Sequence, residues 1–230
     1  LASPTKEEYH FLPIVDGWFL PKSVDEVFAA GEQSDVPTLT GLVADEGSYG
    51  DDYGKVSAVE FQKRVRQQAG PQAEVILKLY PASTEAGAAE SQKSIARDMS
   101  MVSMYVWAAD RAKTGRTKVY TYLFTHPQPG ATEERYQTFH SSELPYVFDN
   151  LGQSPRPWTA EDRKIAEILS GYWVNFIATG DPNGKGLPAW PVFDAAREQT
   201  MELGDSIGPR PIADRGKFEL LRNLWNGPAH

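Results

Sequence analysis

The chain has no cysteine among its 230 residues. That excludes a disulfide framework, a thiolate zinc site and a thiol nucleophile together. No stretch approaches the roughly 20 apolar residues that a membrane-spanning helix needs. There is no basic-then-apolar leader of the secretory kind either. Basic residues are scattered rather than clustered, and the formal net charge is −8 with a pI of about 5.1. Neither nucleic acid nor an anionic membrane finds an electrostatic footprint here. Histidines are few: His10, His126, His140 and His230. His10, His126 and His230 have no ligand-like spacing, and no metal or organic cofactor is implied. Internal repeats and low-complexity tracts are missing as well. The balance is that of a soluble protein, bacterial in character, and secreted, periplasmic and cytoplasmic placement all suit a cysteine-free chain. The first residue is Leu1 rather than Met, which points to a removed leader or to a piece of something longer.

What is present can bury a sizeable core: 40% of residues are hydrophobic and 11% aromatic. Residues 1–230 read as one domain or as part of a larger one. After a polar opening to about Phe11, Ser23 with Glu26 three residues on forms a capping box for a short helix over 23–31, stopped by Gly31. Thr38 to Ala44 is β-rich without strict alternation, as expected of a strand buried on both faces. Helices follow over 57–68 and 73–79, the first capped by Ser57 with Glu60, and Gly70-Pro71 separates them. A longer helical stretch from Ala86 to Lys113 is expected to break near Asp98 and to close at Gly115. Lys118 to Phe124 is the second strand. Ile165, Ile168, Leu169, Tyr172, Trp173, Phe176 and Ile177 recur at helical spacing, so one face of 160–178 is core. A short strand at 200–203 and a helix over 216–226 complete an α/β pattern.

Two places carry chemistry. The first strand ends in Asp45-Glu46-Gly47-Ser48-Tyr49-Gly50-Asp51-Asp52-Tyr53-Gly54, which gathers carboxylates where open parallel sheets place their ligands. After the second strand comes Phe139-His140-Ser141-Ser142-Glu143-Leu144-Pro145-Tyr146-Val147-Phe148. An imidazole beside a carboxylate suits general acid–base work, because its ordinary pKa is near neutrality. On local grounds alone a structural histidine is the better reading. Glu46 and His140 are 94 residues apart, each beyond a predicted strand, and together supply two parts of a hydrolase triad. The acidic loop also has the right ligand type for calcium in Asp45, Glu46, Asp51 and Asp52, but its spacing does not fit an EF-hand.

From about Pro13 to Phe193 the chain resembles the C-terminal part of type B carboxylesterases, the cholinesterase-like branch of the α/β-hydrolase fold. Four blocks carry the resemblance. They are Val15-Asp16-Gly17 with Leu20-Pro21; Leu42-Val43-Ala44-Asp45-Glu46-Gly47-Ser48-Tyr49; the ten residues from Phe139 to Phe148; and Tyr172-Trp173-Val174-Asn175-Phe176 with Thr179-Gly180-Asp181-Pro182-Asn183 and Trp190-Pro191. It implies a mostly parallel sheet covered by helices, completed by an N-terminal segment or chain. It places the triad histidine on His140 and the triad acid on the residue before the glycine, Glu46; Asp45 is a rival acid by position, which the resemblance instead makes a loop-stabilising group. Glu143 matches a carboxylate that backs the histidine, with a structural ion pair as the other reading. Tyr49 matches an aromatic lining the substrate pocket. Gly50 stands where cholinesterases carry a second aromatic, which implies a roomier acyl side and argues against choline esters. The lack of cysteine also departs from the disulfide-bonded animal members.

A triad needs a serine, and this family carries it upstream of the acid in a Gly-x-Ser-x-Gly elbow. No such elbow precedes Glu46, and no Gly-Gly-rich run precedes it to supply oxyanion donors. Gly204-Asp205-Ser206-Ile207-Gly208 matches literally, but Pro209-Arg210-Pro211 follows where a helix should start, so a surface turn is the better expectation. The resemblance therefore implies a serine-dependent hydrolase of carboxylic esters acting through an acyl-enzyme. The nucleophile and oxyanion hole would lie on an N-terminal fragment of the same esterase, and the substrate would be a small-molecule ester. The alternative is a non-catalytic binding or adhesion relative that has lost the serine.

Overall fold

The computed structural model describes residues 14–130 and 136–225. His10, His230 and the polar opening lie outside them. Four strands form one mixed sheet in the order β1 (Thr38–Val43), β2 (Val119–Phe124), β3 (Gln199–Leu203) and β4 (Ile207–Pro211). The first three are parallel, with Thr38 opposite Val119 and Tyr122 opposite Met201, and β4 closes the sheet as an antiparallel edge.

Parallel neighbours need crossovers, and the helices supply them. Between β1 and β2 run α2 (Ala58–Ala69), α3 (Ala73–Leu79) and α4 (Glu85–Thr114); between β2 and β3 run α5 (Leu144–Val147) and α6 (Ala160–Thr179). A short α1 (Val24–Ala29) precedes the sheet and α7 (Arg215–Trp225) follows it. Side chains alternate along β2 and divide the interior. Tyr120, Tyr122 and Phe124 pack with Tyr146, Leu169, Tyr172 and Trp190 under α5 and α6. Leu123 packs on the opposite face with Met101, Tyr105, Phe218 and Leu221 of α4 and α7. A third cluster, with Phe61, Ile76 and Tyr80, lies among α2, α3 and the start of α4. The sheet is thus covered on both faces, as an α/β fold requires.

Local signals in the sequence place most of these elements. Ser23 and Glu26 form the expected capping box, Ser57 caps α2, and Gly70–Gln72 makes a 3-10 turn between α2 and α3. Three expectations need correction. Helix α4 runs unbroken through Asp98, whose carboxylate accepts from Tyr80 Oη at 2.9 Å and stands 3.7 Å from Lys217 Nζ. With no proline or glycine near Asp98, nothing interrupts the helix. Strand β1 is not buried on both faces: only Val43 is fully buried, because β1 is the edge of the described sheet. Ile177 is 79% exposed and does not share the core face of α6 with Ile165, Leu169 and Tyr172.

Gly41 has a specific reason within β1. A Cβ there would meet the Tyr122 ring at 2.3 Å. Only glycine lets that ring lie across the strand.

Candidate active site

Two segments leave adjacent parallel strands and are fastened together at once. Ala44 N–H donates to the carbonyl of Phe124 at 2.9 Å, and Asp45 bridges Phe139 in parallel fashion. Asp45 N–H donates to Thr138 O at 2.9 Å, and Thr138 N–H returns a bond to Asp45 Oδ2 at 3.2 Å. The other oxygen of Asp45 accepts from Tyr53 Oη at 2.7 Å and lies 3.5 Å from Arg97 Nη2. Arg97 also donates through Nε to the carbonyl of Ala44 at 2.7 Å. Asp45 is buried and consumed in holding the two loops in register.

The next residue does something different. Glu46 Oε1 accepts the Val43 N–H at 3.0 Å, which orients the carboxylate back over its own strand. Its other oxygen, Oε2, lies 2.6 Å from His140 Nδ1. A carboxylate on Nδ1 fixes that nitrogen as the proton donor and leaves Nε2 with its lone pair. The His140 side chain is 64% exposed, so the ring is presented at the surface rather than packed away. Tyr49 holds the same residue from its main chain: its hydroxyl donates to the carbonyl of His140 at 2.9 Å, and the two rings meet edge to face with centroids 6.4 Å apart. Ser141, immediately after, has φ 71°, a left-handed conformation that a non-glycine residue adopts at a cost.

Glu143 comes close to this pair and, among the described residues, has no ion-pair partner of its own. Its Oε2 is buried and accepts no hydrogen bond among the described residues. Burial pushes its carboxyl up from the usual range and the charge of Glu46 adds to that, while its own backbone N–H and His140 pull the other way. Glu143 lines a cavity of about 420 Å³ with Tyr122, Leu144, Phe148, Trp173 and Ile177. Burial likewise raises the Tyr122 phenol, with Glu143 and Glu46 contributing. Gly50 lies exposed in the turns after Glu46, where a Cβ would stand 3.3 Å from the Gly47 carbonyl.

The remaining candidates separate. Ser206 is exposed in the turn between β3 and β4, and β4 follows it directly, so no helix begins behind that serine. The acidic loop does not gather its carboxylates: Glu46 goes to His140, Asp45 to Tyr53, and Asp52 to Arg64 at 3.3 Å. Among the described residues no group of three or more His, Asp or Glu is placed to hold a metal ion. Sequence reasoning missed Arg97 and Tyr53, which join Asp45 from 52 and 8 residues away and carry no local signal.

The sheet and its carboxyl-edge pair have the form of an α/β hydrolase: an acid from one strand end bonded to a histidine beyond the next. The chain belongs to the carboxylesterase family, whose model matches residues 1–212. It is 30% identical to a cocaine esterase of Homo sapiens over 89% of its length, and 30% identical to a fumonisin B1 esterase of Sphingopyxis macrogoltabida over 85%. It is 25% identical to an acetylcholinesterase of Bungarus fasciatus over 95%. The chain spans about two fifths of the length of these curated relatives, 40%, 37% and 39% respectively. No helix among the described residues is long and apolar enough to cross a membrane.

Proposed function

We propose that this chain is the acid- and histidine-bearing part of a serine esterase that hydrolyses carboxylic esters through an acyl-enzyme. The observation that carries the reading is the 2.6 Å contact between Glu46 Oε2 and His140 Nδ1 at the carboxyl edge of the sheet. His140 Nε2 takes the proton of the attacking serine and returns it to the leaving alcohol. Glu46 keeps the ring in the required tautomer and stabilises the imidazolium that forms. The serine and its oxyanion donors belong to an N-terminal portion of the same esterase, which is the partner this chain requires.

Glu143 backs the histidine as a buried carboxyl, and Tyr49 holds His140 while lining the acyl side of the pocket. Gly50, without a side chain, leaves that side open to a bulky small-molecule ester. Family membership and esterase-named relatives support the reaction class.

Labelling the purified protein with a fluorophosphonate, read by denaturing intact mass, tests the division of labour. An adduct on a second, co-purifying polypeptide is the expected result. An adduct on this chain at Ser206 would overturn the assignment. No adduct with the second polypeptide present would mark a binding relative without a nucleophile.

A further inference from the structure

A second histidine–carboxylate cluster lies at the start of α6. His126, two residues past β2, places Nε2 2.9 Å from Asp162 Oδ1 and Nδ1 2.6 Å from Asp205 Oδ1. Tyr146 Oη donates to the same Asp162 Oδ1 at 2.7 Å. The other oxygen, Oδ2, accepts from the Thr159 N–H at 2.7 Å and the Thr159 hydroxyl at 2.6 Å. One buried carboxylate thus receives four donors. Burial pushes Asp162 up, but the bonds from Thr159, Tyr146 and His126 outweigh it and hold the carboxyl at about 2. Both contacts of the His126 ring are hydrogen bonds only when both nitrogens carry protons, because a bare nitrogen would meet a carboxylate lone pair to lone pair.

The cluster's position in the chain matters more than its charge. His126 stands where the chain leaves β2, and Tyr146 stands in α5, six residues after His140. The segment that presents His140 therefore begins and ends on a single oxygen atom of Asp162. A cross-tie joins its two limbs, with Gln128 Nε2 donating to the Ser142 carbonyl at 2.7 Å. Tyr146 is fully buried, and its ring packs against Phe124, Trp158 and the His126 imidazole with centroids 5.4, 5.8 and 5.6 Å away. Among the described residues the outer side of His140 has no comparable support: its ring meets Glu46 and Tyr49, and its side chain is 64% exposed. A histidine that must be placed to within a fraction of an ångström needs such support behind it.

We propose that Asp162 is a positioning residue for His140, acting through Tyr146 and His126, which it holds at the two ends of the segment that carries the histidine. This rests on the reading of His140 as the general base. Asp162 also caps α6 through Thr159, and the two duties use different oxygens, so they can be separated. Oδ1 serves the clamp and Oδ2 serves the cap.

Amide hydrogen exchange at residues 138–142 of this chain, with the downfield proton of the short His140 Nδ1–Glu46 bond as a second readout, tests the assignment. Tyr146→Phe removes only the hydroxyl, and His126→Leu removes the other tie. Each is expected to speed exchange at 138–142 at least tenfold and to broaden or abolish the His140 proton. Thr159→Ala, which cuts only the cap, is expected to lower the melting temperature while leaving both readouts unchanged. Wild-type exchange and an intact His140 proton in Tyr146→Phe would overturn the proposal, and would leave Asp162 a helix cap in a stable core. The catalytic reading fails separately, by retention of ester turnover in His140→Ala of the complete enzyme.

Discussion

Two histidines of this protein lean on carboxylates, and they are built in opposite ways. His126 is 13% exposed and has both ring nitrogens engaged, one by Asp162 and one by Asp205. His140 is 64% exposed and, among the described residues, has one nitrogen engaged, by Glu46. A ring with both nitrogens bound is a strut, since it has no lone pair to offer without losing a bond. A ring with one nitrogen bound and the other outward can carry a proton between partners. The same pairing of residue types therefore serves structure or chemistry according to how many hydrogen bonds the ring is allowed to keep open.

The sharpest way to break this comparison is to delete each ring. His140→Ala is expected to abolish ester turnover of the complete enzyme, a loss on the order of 10³-fold or more. It should leave the melting temperature of this chain nearly unchanged, because exposed side chains contribute within about 0.5 kcal/mol. His126→Ala should do the reverse in stability, costing on the order of 1–3 kcal/mol, because it removes one of the four donors to the buried Asp162 carboxylate and the ring packed against Tyr146. Steady-state kinetics and thermal melts on both variants decide it. Equal melting shifts for the two would erase the distinction. Glu46→Gln refines the reactive side. The amide keeps the size but not the charge, so turnover is expected to fall by roughly 10²–10⁴-fold with KM little changed. Retention of most turnover would remove Glu46 from the pair.

How much of this was written in the sequence depended on distance along the chain. Ser23 with Glu26 and Ser57 with Glu60 are local cap pairs, and each formed where its spacing indicated. Strand β2, with six buried residues, was legible from its β-branched and aromatic run. Strand β4 was not, because Pro209 and Pro211 read as a loop. Only an edge position, with no partner beyond it to require those missing N–H groups, admits them into a ladder. The expected break of α4 at Asp98 failed for a similar reason. The groups that accommodate that carboxylate, Tyr80 and Lys217, come from other parts of the chain. Strand-end logic and the family pattern brought Glu46 and His140 together across 94 residues. The His126–Asp162 contact, 36 residues apart, matched no motif and needed the fold to appear.

Acid titration sharpens the structural side. Asp162 sits at about 2 in the folded chain, below the ~3.9 of an unfolded aspartate. A lowered folded value means that the native state holds the proton less tightly than the unfolded chain. Its contribution to stability is therefore complete above about pH 4 and is lost as pH falls through the window toward 2. Urea melts at stepped pH should show this acid limb, and Asp162→Asn should flatten it. An unchanged slope in that variant would mean that other carboxylates carry the limb.

The smallest effect separates the two oxygens of Asp162. Thr159→Ala removes the hydroxyl donor to Oδ2 and the acceptor for the Asp162 N–H at 3.2 Å, so the first turn of α6 loses its side-chain cap. Replacing such a cap costs about 1 kcal/mol, or roughly 2–4 °C in melting temperature for a chain of this size. The backbone N–H at position 159 remains and can still meet Oδ2, which keeps the loss near the lower end. Oδ1, with Tyr146 and His126 on it, is untouched. A melting shift without any change in turnover therefore separates the cap from the clamp. A speeding of exchange at 138–142 as large as that expected of Tyr146→Phe would mean that the carboxylate moves as one body and that neither oxygen has a role of its own.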